Sequence, residues 1–156
     1  MMDLNKFEYL VREAQDTMYR TSMSMLKNEH DACDCVQNAV LKAYENLHKL
    51  KNEEYFKTWL IRILINECKR TLKNKSRAEL LSDTTLTEIS SRDNPYLNVE
   101  VAQALDSLPQ KIRLVVIMFY VEDYSIKEIK RVLGIPEGTV KSRLNKGRTL
   151  LKEMLI

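Results

Sequence analysis

Lys141, Arg143, Lys146, Arg148 and Lys152 crowd into one short stretch near the end of the chain, with Glu137, Gly138, Thr139 and Ser142 just ahead of or among them. Side chains of these types bind a polyanion. Arginine and lysine reach the O6 and N7 edge of guanine or a phosphate oxygen, and small polar residues let a backbone come close. A second group lies earlier: Arg62, Lys69, Arg70 and Lys73 flank Asn66, with Tyr55 and Trp59 just before it. Cations there neutralise phosphates. Both groups perform recognition, not covalent chemistry. The sequence contains no P-loop, no nucleophile–base arrangement and no metal-ligand pair, and His30 and His48 stand apart. We expect no enzymatic activity, no cofactor, no metal and no small-molecule substrate.

Helices must position these groups. Three glycines and three prolines in 156 residues, with no sustained alternation of β-branched residues, favour an all-α fold. The late basic group sits on the second helix of a helix-turn-helix. Ser125 and Glu128 form a capping box that starts the first helix, and Ile126, Ile129, Val132 and Leu133 give it an apolar face. Gly134 suits a left-handed helix end, and Pro136 suits the first turn of the next helix. From Pro136 to Leu155 that helix spans roughly 30 Å, enough to cross a major groove about 12 Å wide. Val140, Leu144, Leu150, Leu151 and Met154 are its expected apolar stripe.

Apolar spacing predicts three helices in the first half, over 3–26, about 31–50 and 56 to about 74. Expected core positions are Leu4, Phe7, Leu10, Val11, Met18 and Met25 in the first, and Ala32, Val36, Ala39, Val40, Ala43, Tyr44 and Leu47 in the second. In the third they are Trp59, Leu60, Ile63, Leu64 and Cys68, with Trp59 assigned to packing ahead of base stacking. Periodicity then fails between Ser76 and Asn98, in a stretch rich in Ser, Thr and Asp, which reads as a flexible linker. The expected organisation is two small helical domains, 1–76 and 99–156, joined by 77–98. Four more helices are expected, at about 96–107, 109–121, 125–133 and 136–155.

The net charge of +3 hides its distribution. Residues 57–77 hold seven basic side chains against Glu67 alone, whereas 78–100 hold Arg92 against five acidic ones. Two basic blocks separated by an acidic one suggest two nucleic-acid contacts on one chain. Cys33, Cys35 and Cys68 are an odd number, with neither a signal peptide nor a long apolar run, so free thiols in a reducing cytoplasm are expected, and no membrane insertion. The Cys-x-Cys pair puts its thiols on different faces of a helix, which argues against a metal site.

Three stretches resemble the extracytoplasmic-function sigma factors, the smallest members of the sigma-70 family. They are Asp31 to Tyr44, Phe56 to Asn66, and Ala104 to Pro109 followed by the helix-turn-helix, in the family's order and spacing. The resemblance implies a bacterial transcription initiation factor that binds core RNA polymerase and promoter DNA. Asp31, Asp34, Gln37, Asn38 and Leu41 are then the polymerase-binding residues; Asp34, Gln37 and Leu41 share one helix face. Tyr55, Trp59, Arg62, Asn66, Lys69, Arg70 and Lys73 are assigned to reading and melting the −10 element. Glu137, Gly138, Thr139, Lys141, Ser142, Arg143, Lys146 and Arg148 are assigned to the −35 element. An anti-sigma partner, often membrane-anchored, is implied as well. The chain departs from relatives at Cys33 and Asn38, where acidic residues are common, and at Lys130, where alanine is usual at the helix crossing. The competing reading is a stand-alone dimeric helix-turn-helix regulator; it leaves the basic helix around Asn66 and the Asp34 face without a role.

Overall fold

Main-chain hydrogen bonding divides the chain into helices at sites set by local capping chemistry. In the computed structural model, which describes residues 2–81 and 99–155, α1 spans Leu4–Leu26, α2 Glu29–Glu45 and α3 Phe56–Leu81. After 98 come α4 (Val99–Ser107), α5 (Gln110–Val116), α6 (Ile126–Leu133) and α7 (Glu137–Leu155). The described residues contain no strand. Two compact units result, one holding α1 to α3 and the other α4 to α7. Residues 82–98 of the expected linker lie outside the described residues.

In the first unit, Asp3 caps α1 by accepting from the Lys6 N–H at 2.8 Å. The helix ends where Lys27 turns left-handed (φ 53°) and its N–H reaches the Met23 carbonyl. Asn28 then accepts from the Asp31 N–H at 2.9 Å, which starts α2 two residues earlier than the apolar spacing indicates. That helix also stops earlier, at Glu45, and a 3-10 turn over Leu47–Lys49 completes the expected segment. Ala32, Ala39 and Ala43 are fully buried, so α2 approaches its neighbours closely. Phe7 meets Phe56 and Tyr44 edge-on, each at 5.7 Å between ring centroids.

Several expected core positions are corrected. Leu4 is 61% exposed, while Met2 is buried. Helical side chains lean toward the N-terminus, so a first-turn leucine points past the end of the bundle. On α3, Trp59 and Ile63 are half-buried, and Ile61 and Ile65 join Leu60, Leu64 and Cys68 in the core. The buried face is turned from the one read in the sequence because α1 and α2 both pack against it. Past Asn74, Arg77, Ala78, Glu79, Leu80 and Leu81 are strong helix formers, and α3 continues through them.

The second unit matches local expectation at the helix-turn-helix. The Ser125 hydroxyl accepts from the Glu128 N–H at 3.1 Å, and the Glu128 carboxylate accepts from the Ser125 N–H at 3.2 Å. Gly134 adopts φ +66° and its N–H bonds the Lys130 carbonyl at 2.8 Å. The predicted 109–121 helix divides into α5 and a π turn over Ile117–Val121, after which Asp123 is left-handed (φ 58°). Arg113 is buried, and its guanidinium donates to the Asp106 and Leu108 carbonyls at 2.9 and 3.2 Å, pinning the α4–α5 turn. On α7 the buried stripe is Val140, Leu144 and Gly147; Leu150 and Leu151 are half-buried and Met154 is exposed.

Candidate nucleic-acid interface

Each basic group occupies an exposed face built by its own unit. On α3, Arg62, Asn66, Lys69 and Lys73 are exposed and recur one or two turns apart along one line. Trp59 lies at the head of that line, half-buried against Phe56 at 6.0 Å between centroids, so part of its ring reaches solvent. Tyr55 is exposed in the 3-10 turn Glu53–Tyr55 that leads into the helix. Asn52 holds this turn by accepting from the Glu54 N–H at 3.0 Å, and Lys6 of α1 pairs with Glu53. The loop ahead of α3 is therefore closed on itself by Asn52 and tied to α1 by Lys6. Arg70 differs from its neighbours. Its guanidinium donates to buried Glu67 at 2.7 Å.

On α2, Asp34, Gln37, Asn38 and Leu41 are all exposed. Leu41 is 59% exposed and Tyr44, one turn on, is exposed as well, an apolar pair that water solvates poorly. His30 lies 3.5 Å from the Asp34 carboxylate. Asp31 is half-buried and pairs with Lys75 of α3, so its charge is engaged inside the unit. That pairing joins residues far apart in sequence, and helical spacing alone gives no sign of it.

At the start of α7, Gly138, Lys141, Ser142 and Lys146 are exposed, while Glu137, Thr139 and Arg143 are half-buried. Lys141 lies 3.4 Å from the Glu137 carboxylate, one turn away. Arg148 is held by the end of the α5 segment. Its Nε donates to the Tyr120 hydroxyl, its Nη1 donates to Asn145 at 2.8 Å, and its guanidinium lies 5.6 and 6.0 Å from the Tyr120 and Phe119 rings. Lys130, where the crossing of α6 and α7 was in question, is exposed and leaves the contact to Ile129 and Val132.

The three thiols are unequal. Cys33 is exposed, whereas Cys35 and Cys68 are buried between α2 and α3, where Cys35 Sγ lies 3.2 Å from Thr71 Oγ1. Burial, then the neighbouring Cys35, pushes the Cys68 thiol well above its ordinary range. Native protein is expected to react with one equivalent of a disulfide thiol reagent, and protein in denaturant with three. A second fast equivalent without denaturant would mean that the α2–α3 seam opens. Among the described residues, no group of three His, Cys, Asp or Glu side chains is placed to hold a metal ion, and no helix is long and apolar enough to cross a membrane.

Comparison with known proteins addresses both units. The family model described as Sigma-70 region 2 matches residues 10–78, and that described as Sigma-70, region 4 matches residues 98–151. The chain is 30% identical to the ECF RNA polymerase sigma factor SigW of Bacillus subtilis, across 98% of this chain and 90% of the relative. The chain belongs to the extracytoplasmic-function RNA polymerase sigma factors. It is also 28% identical to the sigma factor SigV of Bacillus subtilis, across 93% of this chain and 88% of that protein. The fold of this sigma factor is shared with solved relatives. The sigma factor RpoE of Bartonella quintana, solved with the anti-sigma factor NepR, aligns with a TM-score of 0.87 at 23% identity, covering 97% of this chain and 98% of that one. CnrH, solved with the cytosolic domain of CnrY, aligns with a TM-score of 0.72, covering 98% and 89%. Membership makes the chain a DNA-binding transcription initiation factor that works with RNA polymerase.

Proposed function

We propose that this sigma factor directs core RNA polymerase to its promoters by dividing the work between its units. In this reading α7 enters the major groove of the −35 element, and α3 with the loop before it captures the −10 element as it melts. The exposed line Arg62, Asn66, Lys69 and Lys73, headed by a partly exposed Trp59, is the observation that carries it. Melting a duplex costs a few kcal/mol per unstacked step, and only a surface combining cations, an amide and aromatic faces offsets that. A conventional helix-turn-helix regulator has no use for such a surface. The exposed Asp34, Gln37, Asn38 and Leu41 face of α2 docks on polymerase, and Asp31 supports that face through Lys75. Residues 77–98 join a domain at 1–76 to one at 99–156. An anti-sigma partner is proposed on the strength of the Bartonella quintana RpoE structure, solved with the anti-sigma factor NepR. The protein then works in the cytoplasm, held at the membrane only if that partner is anchored there.

Run-off transcription with purified core polymerase on pooled genomic promoter fragments tests the reading. Discrete transcripts that depend on the protein and vanish with Asp34→Arg are expected. On the promoters recovered, Arg143→Ala should relax −35 preference, with about 1–3 kcal/mol less discrimination at one position. Lys146→Ala should weaken binding on all sequences and reduce the salt slope by roughly 0.9. Active core that neither binds the protein nor gains transcripts overturns the reading, and equal losses on every sequence for both variants overturn the division between Arg143 and Lys146.

A further inference from the structure

Glu67 of α3 is buried, and its two carboxylate oxygens are held by cations from different helices. Oε1 pairs with Lys42 Nζ of α2, and Oε2 accepts from Arg70 Nη2 of α3 itself at 2.7 Å. Lys42 is half-buried, whereas Arg70 keeps 58% of its side chain exposed and follows Asn66 by one turn. We infer that Lys42 is a positioning residue for −10 binding: by keeping Glu67 paired, it lets Arg70 leave the carboxylate for a DNA phosphate. The inference rests on the reading of α3 as the −10 face, and gives a cation already engaged inside the unit a route to DNA.

Burial makes the two cations unequal. A buried carboxylate that loses its last cation is strongly destabilised, because little water replaces the partner. Without Lys42, Arg70 would be that last cation and would stay on Glu67. With Lys42 in place, Arg70 can depart and the charge remains matched. The two ion pairs use separate oxygens, so breaking one leaves the other undisturbed. An ammonium also has three donors, enough to serve both oxygens once the guanidinium has gone. Lys42 is poorly placed to touch DNA itself, since it springs from α2 and its ammonium is committed to the buried carboxylate. The guanidinium is the mobile member: it stands on the exposed side of α3, beside the row of Arg62, Asn66, Lys69 and Lys73. A phosphate approaching that row competes with Glu67 for Arg70, and Lys42 decides how hard Glu67 holds on.

The test uses holoenzyme reconstituted from purified core polymerase and full-length protein. Its probes are fluorescein-labelled forks, duplex upstream and single-stranded through the −10 element, selected from a random pool by the wild-type holoenzyme. Affinity is measured from about 50 to 200 mM salt. Arg70→Met should weaken binding about 3- to 10-fold and reduce the salt slope by roughly 0.7, one phosphate contact on a single strand. Lys42→Met should give the same loss and the same slope, although its side chain meets no DNA. Glu67→Gln removes the charge that holds Arg70, so it should bind at least as tightly as wild type. Lys42→Met combined with Glu67→Gln should return to within about 2-fold of Glu67→Gln, with the slope restored. A variant that had merely lost structure would not be rescued by removing a further member of the same ion-pair group. A wild-type slope in Arg70→Met or Lys42→Met, or a Lys42→Met loss that persists in the Glu67→Gln background, overturns this inference alone. Failure of the wild-type holoenzyme to select any fork, or wild-type slopes in Lys69→Ala and Lys73→Ala, overturns the −10 reading along with it.

Discussion

Gly147→Val is expected to abolish cooperative folding of the second unit while leaving the first intact. An added Cβ at Gly147 would lie 2.5 Å from Val116 Cγ2 and 3.1 Å from Ile112 Cγ2. Both neighbours are β-branched residues on α5, short and confined to few rotamers, so they cannot swing aside. The helices must separate instead. Overpacking of this kind costs about 1–3 kcal/mol for one added methyl-sized group, and more for the three carbons of valine. A unit of this size has a total stability of only about 3–8 kcal/mol, so valine removes most of it. Alanine is the more informative variant. It gains up to about 1 kcal/mol of helix propensity over glycine, yet the clash should outweigh that and lower the midpoint by about 4–10 °C. Shortening the opposing residue, in Gly147→Ala with Val116→Ala, should restore part of the loss through a coupling of about 1 kcal/mol or more. A Gly147→Ala protein as stable as the wild type would show that α5 and α7 have slack at this crossing.

That crossing also marks how far the sequence could be read. The capping box at Ser125 and Glu128 and the left-handed Gly134 are contacts within a few residues, and the structure shows them as spacing predicts. The exposed rows on α2 and α3 were legible for the same reason, since helical periodicity alone aligns Asp34 with Gln37 and Leu41, and Arg62 with Lys69 and Lys73. What escaped depends on neighbours remote in the chain. Gly147 looks like a weak point in a helix until α5 is laid against it. Arg113 reads as a surface charge until its guanidinium meets the Asp106 and Leu108 carbonyls. Ile61 and Ile65 join the core, and Trp59 moves to its edge, because α1 and α2 together choose which side of α3 is covered. Among the candidate contacts, Asp31, Arg70 and Arg148 each have a partner inside their own unit. Helical spacing could foresee Glu67 at i−3 for Arg70 and Asn145 at i−3 for Arg148, but neither Lys75 for Asp31 nor Tyr120 for Arg148.

The partner of Arg70 sets up the second large effect. Glu67 is 4% exposed and carries a charge, held by Lys42 from α2 and by Arg70 from its own helix. Both cations keep much of their side chains in water, so the three groups are not equally trapped. Losing the carboxylate leaves two cations that can turn outward into solvent. Losing both cations leaves a carboxylate that cannot. Glu67→Gln should therefore cost about 1–2 kcal/mol, the loss of charge-assisted hydrogen bonds, whereas Lys42→Met with Arg70→Met should cost about 3–5 kcal/mol. Either methionine alone should be mild, because the remaining cation still satisfies Glu67, and the excess in the double variant should be a coupling of about 1–3 kcal/mol. Urea unfolding of the four variants measures this cycle. Additive losses, or a Glu67→Gln penalty above that of the double variant, would show that the carboxylate is better solvated than its burial implies. The same asymmetry governs how Arg70 should be tested as a −10 contact. Arg70→Met by itself leaves the first unit folded, so any loss of promoter opening in that variant reports on DNA. Combined with Lys42→Met, the same loss reports on Glu67.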